Sequence, residues 1–397
     1  MPFAVYVLGL AVFAQGTSEF MLSGLLSSIA GDLHVSLAAA GLLTSAFAVG
    51  MVAGAPLTAL AGRTWPRRRA LLLFLGVFVA VHVVGALTSS YGVLLATRVV
   101  GALANAGFWA VALVTALALA GPHRRARATA VVVGGVTVAC VVGVPAGALL
   151  GELWGWRAAF WAVALVSVPA AVALLVAVPG GRPDGAPQAG ARSELRALAR
   201  PRLLLTLLVM ALVQGATFCT FSYLEPLVTR VTGFGAGWVP VVLALFGVGS
   251  FAGVTLAGRL ADARPDAVIG LGMTALAAGW AALALTAGHP VAALTLVLLQ
   301  GALAFGTGTA LITRVFHLAP DAPTMAGSFA TAAFNVGAAT GPWLGGLALG
   351  AGLGFRAPVW VSALLMCLAL AGTAALSVSS DAARRTLSVR RRPAPER

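Results

Sequence analysis

The chain has 397 residues, 60% hydrophobic and 9% charged, with a formal net charge of +14 and a mean hydropathy of +0.99. A soluble domain carries about 25% charged residues, so no water-soluble fold can hide this much apolar surface and the solvent must be lipid. All 25 basic side chains are arginine, and they cluster between apolar runs, which reads as membrane topology and argues against a nucleic-acid partner.

Cys140, Cys219 and Cys367 lie in separate apolar runs at no metal-ligand spacing, so neither a disulfide framework nor a zinc site is expected. No cofactor is expected either. The N-terminus lacks a basic region, and its apolar run is too long for a cleaved signal peptide. It is expected to be retained as a spanning helix.

A membrane helix needs about 20 mostly apolar residues, and on that basis the chain divides into twelve spans. The first, 3–29, carries Glu19 near its middle, in GTSEFMLSGLL (16–26). A carboxylate at the bilayer centre costs about 2.5–3.5 kcal/mol, so an intramembrane acid is a functional candidate by default. Next come 37–61 and 70–89, the latter with His82, expected to serve packing. The fourth span, 92–120, holds Arg98, with Asn105 two turns further on the same face and Phe108 beyond it. Glu19 and Arg98 differ in backbone depth by roughly 6 Å at 1.5 Å rise per residue, which a long arginine side chain can bridge. A Glu19–Arg98 pair is therefore open geometrically, as a permanent structural link or as the changeable partnership that proton coupling requires.

Spans 129–150 and 158–179 complete the first six. Gly143, Gly147 and Gly151 form a small-residue stripe in the fifth, interrupted by Pro145. Residues 180–202, rich in Pro, Gly and Arg, are expected to be a solvent-exposed linker. The second six are 203–228, 238–258, 267–287, 291–313, 324–350 and 357–378, followed by a basic tail, 379–397. The first of these carries Gln214, Phe218, Tyr223 and Glu225, the fourth Gln300, and the fifth Asn335 and a matching stripe of Gly337, Gly341 and Gly345 around Pro342. Such stripes serve either gating or static close packing. A drug cavity needs apolar walls with few polar handles. Asn105, Phe108, Gln214, Phe218, Tyr223, Glu225, Gln300 and Asn335 are the candidates for it, against the alternative of ordinary interhelical hydrogen bonds and packing.

Twenty-one of the 25 arginines fall in the even-numbered connections, the linker and the tail. The positive-inside rule then puts both termini in the cytoplasm of a multi-pass plasma-membrane protein. The halves also repeat at an offset of 199–200 residues. Gln15-Gly16 matches Gln214-Gly215, FAVG (47–50) with Gly54 matches FGVG (246–249) with Gly253, GALA (101–104) recurs at 301–304, and GWRAAFW (155–161) matches GFRAPVW (354–360). The expected fold is an all-α membrane protein of twelve transmembrane helices in two pseudo-symmetric six-helix bundles, units 1–179 and 203–378, the architecture of many secondary transporters. It needs no second subunit, so a monomer is expected.

Several stretches resemble the major facilitator superfamily, and within it the twelve-helix drug:proton antiporters. GAPLTALAGRTWPRRRAL (54–71) is similar to the loop motif, with Gly54, Arg63, Arg67 and Arg68 at its marked positions, although Gly62 and Pro66 replace the usual Asp and Gly. The second copy, GRLADARPD (258–266), keeps the acid as Asp262. Arg98 and Gly101 match the fourth-helix motif, which the resemblance associates with proton transfer. GVPAGALLGELWGWRAAF (143–160) resembles the antiporter motif of exporters, here with Gly143, Pro145 and Gly147, and Gly341 and Pro342 occupy its counterpart. GTSEFMLSGLLSSIAGDLHVS, GVPAG and LWGWRAAFW are similar to actinobacterial chloramphenicol exporters. The resemblance implies proton-coupled efflux of small amphipathic drugs by alternating access, with Glu19 and Arg98 in the coupling; export of another small metabolite, a sugar or nucleoside, is the alternative. No span holds a nucleophile–base or metal cluster, a channel filter pattern is absent, and a lysine-free chain has no Walker A motif. An enzyme is not expected, and an ion gradient remains as the energy source.

Overall fold

Helices as apolar as these must satisfy every backbone N–H and C=O internally, because lipid offers no partner. The computed structural model describes residues 1–61, 65–178, 201–261, 265–319 and 323–390. Fifteen α-helices occur among them: α1 (Phe3–Phe20), α2 (Leu26–Asp32), α3 (Leu37–Ala61), α4 (Arg67–Leu87), α5 (Tyr91–Ala120), α6 (Arg125–Val138), α7 (Val144–Trp154), α8 (Trp156–Ala177), α9 (Pro201–Ser222), α10 (Leu224–Arg230), α11 (Val239–Ala261), α12 (Pro265–Thr286), α13 (Pro290–Leu318), α14 (Pro323–Gly350) and α15 (Ala357–Arg390). Eleven stretches within the described residues are long and apolar enough to span a bilayer; α14, 28 residues long, takes the twelfth place. The chain is an all-α membrane protein of two six-helix bundles. Arg63 and Asp262 lie outside the described residues, as does most of the linker.

The repeat seen in the sequence recurs in the packing. In the first half, a Cβ on Gly50 or Gly54 meets Ala102 and Ala106 of α5; in the second, one on Gly249 or Gly253 meets the backbone of Leu298 and Ala302 of α13. Gly155 and Gly354, the matched glycines of GWRAAFW and GFRAPVW, adopt φ of +81° and +80°, a region that favours glycine. Each bundle has its own apolar core.

Both first helices break where the sequence reading drew one continuous span. The α1 helix ends at Phe20, passes through a 3₁₀ turn at Met21–Gly24 and resumes as α2. Ser23 donates to the Phe20 carbonyl at 2.9 Å, a local bond that competes with the helical ladder. In the second half α9 ends at Ser222 and restarts as α10 after Tyr223, just before Pro226, which has no N–H to donate. The fifth span contains a π-helical turn, Ala139–Gly143, immediately before Pro145; its counterpart α14 runs through Pro342 as a helix.

The glycine stripes face their own bundles. Gly143, Gly147 and Gly151 abut Thr17, Met21 and Leu25, whereas Gly337 and Gly341 abut the backbone of Ala211, Gly215 and Cys219 in α9. In this conformation they bring helix backbones into close contact within each bundle. Between bundles the extensive contacts are α3 against α14, and the π turn with α7 against α11.

At the arginine-poor end Arg157 ties loops together. It donates to Asp32 at 2.6 Å and to the Thr88 carbonyl at 3.0 Å, stacks over Trp156 at 4.4 Å, and Trp156 also donates to Asp32. Chiefly through the Arg157 hydrogen bond, the Asp32 carboxyl is held below its ordinary 3.8. A depressed folded value means that the stabilisation is complete above pH 3.8 and fades as the pH falls through the lower folded value. Both side chains are about a third or more exposed, so Asp32→Asn costs only about 0.2–1 kcal/mol. The melting-temperature gap between wild type and this variant should close as acid is added. Gly253→Ala, whose methyl meets the Ala302 carbonyl, should lower stability by about 1–3 kcal/mol, whereas Gly270→Ala, with open space around it, should leave the melting temperature unchanged.

Candidate functional site

Matched stripes on the first helix of each bundle meet at one aromatic contact between the bundles. On α1, Phe20 is buried, Phe13 half-buried, and Leu10, Tyr6 and Phe3 exposed; on α9, Phe218 is buried, Ala211 and Gln214 half-buried, and Leu204 exposed. These positions repeat at helical spacing, so each set shares one face. Phe20 meets Phe218 of the other bundle at 5.5 Å between ring centroids and Phe221 at 6.3 Å. Exposure then grows along both stripes towards the arginine-rich end. The bundles touch at the phenylalanines, and the stripe positions further along are open to solvent or lipid. Phe221, Phe246 and Phe305 extend the aromatic apex with centroid separations of 4.7 and 6.2 Å.

Next to this apex, Arg98 is buried with 2% of its surface exposed. Its Nη1 donates to Ser18 Oγ and its Nη2 to the Ser18 carbonyl, both at 2.9 Å, and the guanidinium lies 4.4 Å over the Phe47 ring. Hydrogen bonds from a charged group contribute about 1.5–3 kcal/mol each and a desolvated cation–π contact about 2. Together these offset the cost of about 2.5–3.5 kcal/mol for an arginine at mid-membrane. Glu19, whose pairing with Arg98 was open geometrically, makes no ion-pair contact with it; among the described residues the ion pairs are Asp32–Arg157 and Asp266–Arg314, yet the guanidinium and the carboxylate lie close enough to attract each other. Glu19 stands beside Ser18 on the next position of the helix and keeps part of its surface open.

His82, expected to be packing, is part of this network. It is 2% exposed, and its Nδ1 lies 2.7 Å from the Phe78 carbonyl. A carbonyl only accepts, so Nδ1 carries the proton and donates. Nε2 is then the acceptor for the Ser18 hydroxyl at 2.7 Å. Ser18 thus receives from Arg98 and gives to His82. Sequence reasoning missed Ser18, Phe47 and His82; the sequence signal for Ser18 was its place beside Glu19.

The remaining candidates scatter. Gln214 lies on the open stripe and Phe218 closes its apex. Asn105 is fully buried and donates to Met51 Sδ at 3.4 Å, and Phe108 is inside the core of the first bundle. Gln300 donates to the Leu276 carbonyl and Asn335 to the Thr331 carbonyl within the second bundle. In this conformation Asn105 and Gln300 bond across helices, Phe108 packs in a core, and the Asn335 amide bonds the carbonyl four residues back in its own helix. Arg68 donates to the Leu175 carbonyl, linking α4 to α8, while Arg67 is half-buried.

Tyr223 and Glu225 fall at the seam between bundles instead of the cavity. Tyr223, 2% exposed, donates to the Pro342 carbonyl at 2.9 Å, and its ring fills space that a Cβ on Gly41, Gly345 or Gly346 needs. Gly41 belongs to the first bundle and the other two to the second. Glu225 Oε2 accepts from Ser27 N at 3.2 Å and Ser27 Oγ at 2.6 Å. These contacts follow from the helix breaks after Phe20 and Ser222, which turn Ser27 and Glu225 towards each other. The arginine-poor end is closed across the seam.

Two matched bundles of spanning helices that contact each other at the arginine-poor end, with a buried charge beside the aromatic contact, are the architecture of a membrane carrier. The family model of the Major Facilitator Superfamily matches residues 8–324, and the chain belongs to that superfamily. It is 56% identical over 372 residues to the chloramphenicol resistance protein of Streptomyces lividans, covering 93% of this chain and 95% of that one. The inner membrane transport protein YdhP of Escherichia coli (strain K12) is 34% identical, with 93% and 94% covered. In fold it is similar to a crystal structure of a bacterial homologue of the human lysosomal transporter Spinster in an inward-facing, unoccupied conformation, with TM-score 0.75, 19% identity, and 99% and 98% covered.

Gly41→Val should drive the Tyr223 hydroxyl out of its cradle and loosen the seam. In a background lacking the three native cysteines, Ser27→Cys should react faster with a membrane-impermeant thiol reagent when Gly41→Val is also present. Equal rates in the two backgrounds would show that Tyr223 does not hold this end closed.

Proposed function

We propose that this chain is a proton-coupled efflux transporter that exports chloramphenicol or similar amphipathic drugs by alternating access. The observation that carries the reading is the pair of α1 and α9 stripes, increasingly exposed away from the Phe20–Phe218 contact, with Glu19 and Arg98 at the apex. The high identity to a protein named for chloramphenicol resistance supports the substrate class. The arginine-rich end faces the cytoplasm of the cell membrane, with both termini there, so the closed seam faces outwards and the conformation opens inwards. Residues 1–179 and 203–378 rock as units joined by the linker at 180–202, with 379–397 as a cytoplasmic tail, and one chain suffices.

The drug enters from the cytoplasmic side or the inner leaflet, its apolar parts lying along the α1 and α9 stripes and its ring against the phenylalanine apex. Gln214 offers a polar handle there. Glu19 takes a proton when the outer side opens and gives it up inwards, with Arg98 as the counter-charge whose distance changes between states. Closure of the outer seam by Tyr223 in the Gly41 cradle and by Glu225 on Ser27 separates the two accesses.

The test is accumulation of labelled chloramphenicol in everted vesicles under an imposed inside-acid gradient. Wild-type vesicles should accumulate drug, lose it on addition of a protonophore, and show no driven uptake with Glu19→Gln at equal protein. Driven uptake by that variant at the wild-type rate would remove Glu19 from the coupling. Absence of gradient-dependent uptake in wild type would discard chloramphenicol and turn the search to other small metabolites.

A further inference from the structure

Arg98 has two oxygen-bearing neighbours on consecutive positions of α1, and consecutive helical positions point about 100° apart. One guanidinium therefore cannot sit on Ser18 and Glu19 in the same way at once. In this conformation it sits on Ser18, through two hydrogen bonds of 2.9 Å. A neutral hydroxyl and carbonyl hold it although a carboxylate is one residue away, so something must strengthen the Ser18 side. The Ser18 hydroxyl has one proton to place. If that proton turned towards Arg98, the Nη1 contact would be lost and only the Nη2 bond to the Ser18 carbonyl would remain.

His82 places it. Its ring is fixed between Phe78 at 4.2 Å and Phe160 at 5.7 Å centroid separation, and its Nδ1–H is committed to the Phe78 carbonyl. Nε2 is left as a bare acceptor 2.7 Å from Ser18 Oγ. The hydroxyl proton goes to Nε2, and the oxygen lone pairs face the guanidinium. A donor that is itself polarised by a second hydrogen bond accepts more strongly, since such chains are cooperative.

We propose that His82 is a positioning residue for Arg98: by accepting the Ser18 hydroxyl hydrogen bond it berths the guanidinium on Ser18 and Phe47, short of a direct hydrogen bond to the nearby Glu19 carboxylate, while the arginine-poor seam is closed. The inference rests on the reading of Glu19 and Arg98 as the coupling pair. It assigns His82 and Ser18 the task of keeping Arg98 from a direct ion pair with Glu19 in one state of the cycle. Removal of the berth lets Arg98 settle on Glu19 and stay there.

The test reads the partner of Glu19 directly and does not depend on transport. The full-length protein in membranes is treated with dicyclohexylcarbodiimide, which modifies protonated carboxyl groups in apolar surroundings, and modification of Glu19 is followed by peptide mass spectrometry. Wild type should be modified. His82→Leu and Ser18→Ala should lose modification several-fold, whereas His82→Gln, whose amide oxygen reaches the position of Nε2, should retain it. Adding Arg98→Ala to His82→Leu should restore modification, because Arg98 is what shields the carboxylate. Only variants that elute and melt as wild type are compared. Wild-type modification in His82→Leu and Ser18→Ala overturns the proposal, as does failure of Arg98→Ala to restore it. Normal driven export by Glu19→Gln would instead defeat the coupling reading, and the labelling pattern would still decide whether His82 berths Arg98.

Discussion

Backbone contact at glycine is the constraint on which the rest of this molecule depends. In lipid there is no hydrophobic force between helices, so they hold together by close packing and by hydrogen bonds between them. Gly143, Gly147 and Gly151 press the fifth span onto α1 and the turn after it, and Gly337 and Gly341 press α14 onto α9. The two clamped helices are the ones that carry the matched stripes and the aromatic apex. With α1 fixed against its own bundle, Ser18 and Glu19 keep a defined position relative to α4 and α5, so both stay within reach of Arg98.

Between the bundles the same device works at the π turn, where a Cβ on Gly247 meets the backbone of Cys140 and Val141. The π turn displaces the helix backbone by an extra residue and is followed by Pro145, which leaves one ladder hydrogen bond unmade. The second half has no such turn in α14. The two halves are therefore related by a repeat, but the polar network at Ser18, His82 and Arg98 belongs to the first bundle. The second bundle's counterpart region is bonded differently, through Thr220, Ser362 and the Ala216 carbonyl. A symmetric scaffold thus carries an asymmetric distribution of charge.

The closed seam and the buried cation use different chemistry. At the arginine-poor end the bundles meet through an aromatic side chain in a glycine cradle and one carboxylate accepting from a serine, contacts that can be made and broken without leaving a charge stranded. Arg98 cannot be released so cheaply, because a guanidinium without partners in this interior costs several kcal/mol. It must exchange one set of partners for another, and the neighbouring positions of α1 provide two. Movement at the seam and exchange at Arg98 are thereby distinct steps within one scaffold.

The sequence by itself determined the class, the number of spans, the internal repeat and the place of Glu19 and Arg98 within spans, because each rests on a property that lipid makes unambiguous. Twenty apolar residues without water must be a helix, arginine is sorted by side, and a charge in mid-span stands out against its neighbours. Tertiary structure alone decided which partner each group has. Ser18 looked like any small residue and His82 like packing, yet the crossing of α1, α4 and α5 brings them onto Arg98. Phe108 and Phe218 are alike in sequence, and only the rotation of their helices puts one in a core and the other at the apex. Tyr223 and Glu225 moved from the expected cavity to the seam because their helix breaks at Tyr223, a local event set by Pro226 and by the cradle of Gly41 on the opposite bundle. Apolar and aromatic residues serve lipid, core and cavity equally well, so their role is fixed by which helix face the packing turns inwards.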